Sequence, residues 1–342
     1  MEKIRITGMG LVNRAGITAE AFWEQLCLGA PPAEILPETD FKPDVPPAKL
    51  RRMNRYCKMA LYAAKEAWKD GTPLDETDVF SRGTIFTTGY GSMVSHIKFC
   101  REVAKGEPDF CSPTVFTGIV PNSCVGTVCM FLKCKGVSTV LCGGNQLEYS
   151  ALLLEDKRAE VILSGAVEEY CEESFQALEG CEAAKGAELA EGCAVLCLEN
   201  REDGKGYCTL VRSSTTGIPA FPLLCQAEPQ ESVLQMRELL SEYVEEEPDL
   251  VFTCANGTYF DELEREALQN VFPGGTLVNS IKRVTGETVG CGFTMNMAAA
   301  SMCLGHGYVP GALAGGEDRP VKKILATGFD TAGNYMCALL EK

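Results

Sequence analysis

The sequence predicts an α/β protein whose central sheets are covered by helices, because strand-like and helix-like segments alternate along its whole length. Composition fits a folded core, with 46% of the 342 residues hydrophobic and 23% charged. No low-complexity tract, heptad or solenoid period interrupts the alternation.

In order, the β-branched run at 4–7 is a strand, and residues 19–28 carry the apolar spacing of a helix. A helix over 56–67 precedes a strand over 83–88, rich in Thr, Ile and Phe. A strand over 139–141 leads to a helix over 147–154, and the apolar runs 161–164 and 194–198 are the next strands. A polar, charged stretch at 200–205 then ends the first half. The chain restarts with a strand over 207–211, a helix over 232–243, a strand over 250–254, a helix over 262–270 and a strand over 324–327. This restart suggests a duplication, with one half in residues 1–200 and the other in 206–342.

The formal charge of −16 argues against nucleic-acid or anionic-membrane partners, since an excess of carboxylates repels phosphate. A small basic island, Lys49, Arg51, Arg52 and Arg55, is either a docking point for an acidic partner or a solvated helix face. No window reaches the roughly 18 apolar residues of a membrane span, so no membrane insertion and a cytoplasmic location are expected. The eighteen cysteines contain no C-x-x-C pair and many lie in apolar strings, where a free thiol serves as a small hydrophobe. Zinc ribbons and fingers are disfavoured, and no metal or other cofactor is expected.

Seven motifs in one order carry a resemblance. The opening Ile6-Thr7-Gly8-Met9-Gly10-Leu11-Val12, with Phe22-Trp23-Glu24-Gln25-Leu26 and Gly29, resembles the first strand, glycine turn and helix of the β-ketoacyl-acyl-carrier-protein synthases of the thiolase-like class. Ser112-Pro113 with Pro121-Asn122 resembles the segment before the family's dimer-interface helix. The stretch from Ala159 to Glu168 resembles the strand ending in Ala-Gly-Gly-Ala-Glu, and Glu191-Gly192-Cys193-Ala194-Val195-Leu196 is similar to Glu-Gly-Ala-Gly-x-Leu. Ala255-Asn256-Gly257-Thr258 stands where the family has Ala-His-Gly-Thr. The stretch from Asn279 to Glu287 stands for Asn-Ser-x-Lys-x-x-x-Gly-His, and Gly328-Phe329 with Gly333-Asn334 for the closing Gly-Phe-Gly-Gly-Thr-Asn turn. The resemblance implies a thiolase-like fold of two similar α/β halves, layered α-β-α-β-α. The chain is shorter than typical members between Glu168 and Glu191, which implies an altered acyl pocket.

Condensation in this family needs a thiolate to hold the acyl chain, donors that polarise the malonyl thioester, and a stabiliser for each oxyanion. Both family histidines are replaced. Asn256 stands for the first, and it donates a hydrogen bond but exchanges no proton near neutral pH. Glu287 stands for the second, and as an ionised acceptor it repels the malonyl carboxylate and the enolate. Burial could keep it protonated, or Lys282, the family lysine, could hold it ionised in a salt bridge; the paired arrangement is favoured. His96 and His306, the only histidines, fall in neither motif. The elbow register is open: counting back from Ala159 puts Leu141 or Cys142 at the nucleophile position. Cys142 is either an elbow thiol activated by a helix N-terminus beyond Gly144, or an inert buried strand cysteine. The resemblance further implies Phe329, Thr258 and Gly144 as substrate-facing residues, with Phe329 equally a core phenylalanine.

The leading expectation is a chain-length-factor-like partner of an active β-ketoacyl synthase, forming a heterodimer with that subunit or a homodimer with itself, and working with an acyl carrier protein. The segment 122–132 is the expected contact helix. The alternative is an active acyltransferase or thioester hydrolase, with Cys142 forming the thioester, Asn256 polarising it and Glu287 as acid or base.

Overall fold

The computed structural model describes residues 3–30, 35–71, 77–106, 112–200, 205–226, 228–274 and 276–342. Residues 201–204 of the charged junction lie outside them. The strands in chain order are β1 (Ile4–Asn13), β2 (Arg82–Thr88), β3 (Ser138–Cys142), β4 (Val161–Glu168), β5 (Gly192–Asn200), β6 (Cys208–Gly217), β7 (Leu250–Phe252), β8 (Leu277–Asn279), β9 (Tyr308–Val309), β10 (Arg319–Pro320), β11 (Lys323–Phe329) and β12 (Asn334–Glu341). All but the β9–β10 ribbon join one mixed sheet in the order β3-β2-β4-β5-β1-β6-β12-β11-β7-β8.

Outward from the β1–β6 seam, both sides repeat one pattern. β1 is antiparallel to β5 and β5 to β4, whereas β4, β2 and β3 run parallel. On the other side β6 is antiparallel to β12 and β12 to β11, whereas β11, β7 and β8 run parallel. The seam itself is short and antiparallel, with Ile4 opposite Leu210 and Ile6 opposite Cys208.

β1 does not turn at its glycines, contrary to the sequence reading; it continues, with one register shift between Ile6 and Gly8, buried to Asn13. Gly8 and Gly10 serve close packing instead. A Cβ on Gly10 would lie 1.9 Å from the Ala63 carbonyl oxygen, and one on Gly8 2.3 Å from that of Ala67. Helix Arg55–Asp70 can therefore lie directly on the strand, where it buries Tyr56, Met59, Ala60, Ala63, Ala67 and Trp68.

Helix Gly292–His306 is buried from Gly292 to Leu304 and packs against strands of both halves, β5 as well as β11 and β12. It was not read from the sequence because it is apolar on every side and shows no 3.6-residue contrast. No helix among the described residues is long and apolar enough to cross a membrane.

Candidate functional site

Asn256 follows β7 on a loop whose N–H groups are bracketed by Asp261: the amides of Asn256 and Gly257 each donate to its carboxylate at 2.8 Å. That anchoring aims the Asn256 side chain at Glu287, which lies past the one-turn helix Lys282–Thr285. Asn256 Nδ2 donates to Glu287 Oε2 (2.7 Å), and the Val289 N–H donates to Oε1 (2.7 Å). Lys282 Nζ lies 3.2 Å from both carboxylate oxygens. All three residues are at least nine-tenths buried. Thr258 closes the set by donating through Oγ1 to Asn256 Oδ1 (2.8 Å). The Glu287 carboxylate thus faces an ammonium, an amide and a backbone N–H. One Asn256 Nδ2 donor is thus spent on Glu287.

Around the cluster, Arg14 is the residue that sequence reasoning missed. It is buried in the turn after β1, and Nε donates to the Val284 carbonyl (3.0 Å) while Nη2 donates to that of Arg283 (3.1 Å) and to Glu188 Oε2 (3.0 Å). It ties the Lys282–Glu287 loop to the first strand. Only its occurrence just after an apolar strand, where a long cation has no reason to be unless paired, marks it in the sequence. A cavity of about 360 Å³ opens beside the cluster, lined by Asn256, Gly257, Lys282, Glu287, Gly186 and Glu188 among others, and neither Cys142 nor Phe329 borders it.

Cys142 is the last residue of β3, paired with Thr88, and it is exposed. It is therefore not the buried strand cysteine, and it stands immediately before the strand-to-helix turn. The strand-to-helix turn is made by Gly143 and Gly144 (φ +82° and +95°), and the helix Gln146–Glu155 begins only after Asn145, whose Oδ1 accepts the N–H groups of Leu147 and Glu148 at 3.1 Å. Both positive φ values favour glycine. The Gly144 N–H donates to Asp330 Oδ2 across the molecule. Phe329, next to Asp330, is 4% exposed and its ring meets Phe260 edge-on at 5.2 Å, as a core residue.

No family model matches the chain. Its sequence is similar to 3-oxoacyl-[acyl-carrier-protein] synthase 2 of Staphylococcus aureus (strain COL), with 22% identity over 343 residues that cover 84% of this chain and 82% of the relative. The ishigamide ketosynthase/chain length factor structure superposes with a TM-score of 0.84 at 17% identity, covering 100% of this chain and 99% of that one. A type II PKS acyl-carrier protein in complex with its ketosynthase bound to the hexaketide contains a chain that matches with a TM-score of 0.81 at 17% identity, again over 100% and 99%. The chain shares the fold of these ketosynthase structures. In this ketosynthase-like chain both histidines stand away from the cluster. His96 is an exposed helix residue, and His306 stacks on Trp23 with ring centroids 4.0 Å apart.

The ketosynthase-like scaffold carries a second, larger cleft of about 720 Å³. Lys49, Arg51, Arg52 and Lys98 stand on its rim, Glu169 at its floor, and Met130 and Phe131 of helix Ser123–Leu132 on one wall. Arg55 also lines it, but its guanidinium is committed to Glu191, with Nε donating to Oε2 at 2.8 Å.

Proposed function

We propose that this chain is a non-condensing ketosynthase-like subunit, the chain-length-factor-type partner of an active β-ketoacyl synthase in fatty acid or polyketide assembly. The observation that carries this reading is the closed Lys282–Glu287–Asn256 cluster, which fills the place of two proton-handling histidines with an internally satisfied ion pair. An elbow of two glycines supports it, because a glycine pair offers no nucleophile.

The partner would pair along β3. This strand ends the sheet, its outer edge is unpaired among the described residues, and helix Ser123–Leu132 beside it leaves Met130 61% exposed. An uncapped edge with apolar side chains next to it is what a second sheet of the same fold can extend across a two-fold axis. The basic rim of the larger cleft is the proposed docking point for an acidic acyl carrier protein, since it is a cationic island on a chain of net charge −16.

Co-expression with an active β-ketoacyl synthase from the same gene neighbourhood tests the reading. A stable heterodimer whose product profile depends on this chain is expected. The proposal fails if the chain purifies as a homodimer that never exchanges subunits, or if it elongates a primer with malonyl units unaided. Intact-mass analysis with acyl thioesters probes the enzymatic alternative; an adduct lost in Cys142→Ala would replace the partner role with acyl transfer.

A further inference from the structure

Asp330, in the turn between β11 and β12, is 2% exposed, and no lysine or arginine among the described residues pairs with it. Its charge is met by neutral donors alone. Oδ2 accepts the Gly144 N–H (2.5 Å) and Asn334 Nδ2 (2.7 Å), and Oδ1 accepts the N–H groups of Ala332 (2.8 Å) and Asn334 (3.0 Å). Gly144 and Asp330 are 186 residues apart, so the contact joins an elbow in one half to a turn in the other. The fit is close: a Cβ on Gly143 would lie 3.0 Å from Asp330 Oδ2 and 3.3 Å from the Ala332 side chain. Three of these donors belong to the Ala332–Asn334 turn and one, the Gly144 N–H, to the elbow; together they form an anion-binding concavity in which a carboxylate of the chain itself sits.

We infer that Asp330 is a built-in occupant of an anion site at the Gly143–Gly144 elbow, and that it closes this site to the carbonyl oxygen of an acyl thioester. A thioester oxygen that gains negative charge on attack needs donors that point at it and are unoccupied. At this elbow the inward-pointing Gly144 N–H already holds the Asp330 carboxylate, which repels a negative charge brought to the same place. The inference rests on reading the elbow as an emptied acyl site and is independent of which subunit covers β3.

Chemical rescue tests it. Asp330→Ala vacates the concavity, and formate is the probe, with chloride at equal ionic strength as the control. The melting temperature of Asp330→Ala should fall by several degrees, and formate at tens of millimolar should restore about half of the loss while chloride restores none. Asp330→Asn, which keeps an acceptor oxygen in place, should respond to formate no more than the unsubstituted protein does. Equal effects of formate and chloride on Asp330→Ala, or an equal gain in the unsubstituted protein, overturn the proposal. If Asp330→Ala gives no soluble protein, refolding yield in formate against chloride supplies the same comparison. Subunit exchange is followed separately in the same samples; its absence alongside formate rescue would count against the partner role alone.

Discussion

Glu287 and Lys282 each need the other. A carboxylate and an ammonium buried to this degree are tolerated because they meet, with Asn256 and the Val289 amide completing the shell. Truncating one member strands the other in the interior, so Glu287→Ala should cost about 3–5 kcal/mol in denaturant unfolding. Glu287→Gln keeps the shape and should cost less. A different carboxylate behaviour belongs to the pair at the end of β4. Burial pushes Glu168 and Glu169 up to about 7, even though Glu168 accepts the N–H groups of Gly89 and Tyr90 and Glu169 those of Tyr56 and Val94. An unfolded glutamate titrates near 4.5, so between that value and about 7 the unfolded chain releases protons that the folded one retains. Stability should therefore fall as pH rises through this window, by about 3 kcal/mol for each residue. Urea unfolding at several pH values checks this; Glu168→Gln and Glu169→Gln should each flatten the slope, and unchanged slopes would show that the shifts are absent.

At the scale of elements, close approach decides more than propensity. Gly10→Ala would push a methyl group into the Ala63 carbonyl, so helix Arg55–Asp70 must move off β1, at a cost of about 3 kcal/mol. Gly126→Ala, exposed in helix Ser123–Leu132 with nothing within 4 Å of the new Cβ, should instead stabilise the isolated chain by about 0.5–1 kcal/mol. Thermal unfolding of the two variants against the parent separates contact from propensity. Both glycines look alike in the sequence. So do the amphipathic helices that were legible there, such as Ala19–Leu28, and the helix Gly292–His306 that was not: the first shows its buried face as a period, the second is buried all round. β12 was missed although it is a regular eight-residue strand, because its run from Tyr335 to Leu340 is apolar on both faces and carries no alternation.

For the whole molecule, the repeated strand order around the β1–β6 seam leaves two sheet ends, β3 and β8. β8 is only three residues long, which blunts it, whereas β3 offers five residues beside a partly apolar helix. If β3 is the association surface, Val140→Lys and Met130→Glu should each abolish dimer formation with the active subunit; Met130→Glu should leave the melting temperature of the separate chain nearly unchanged, whereas Val140→Lys should lower it because Val140 packs against the core. Sedimentation of the mixture reads this directly, and full association by both variants would move the interface elsewhere.

The amino-acid sequence by itself determined the α/β alternation, the family resemblance and the absence of histidine from positions 256 and 287, because these depend on residue identity and on short-range period. It also put Lys282 and Glu287 five positions apart, near enough to meet across a single helical turn. Only the tertiary structure decided that Gly143 and Gly144 form the elbow, that Cys142 lies exposed at a strand end, and that Asp330 reaches an amide in the opposite half. Those outcomes depend on strand pairing and on contacts between residues far apart in the chain, which local pattern does not encode.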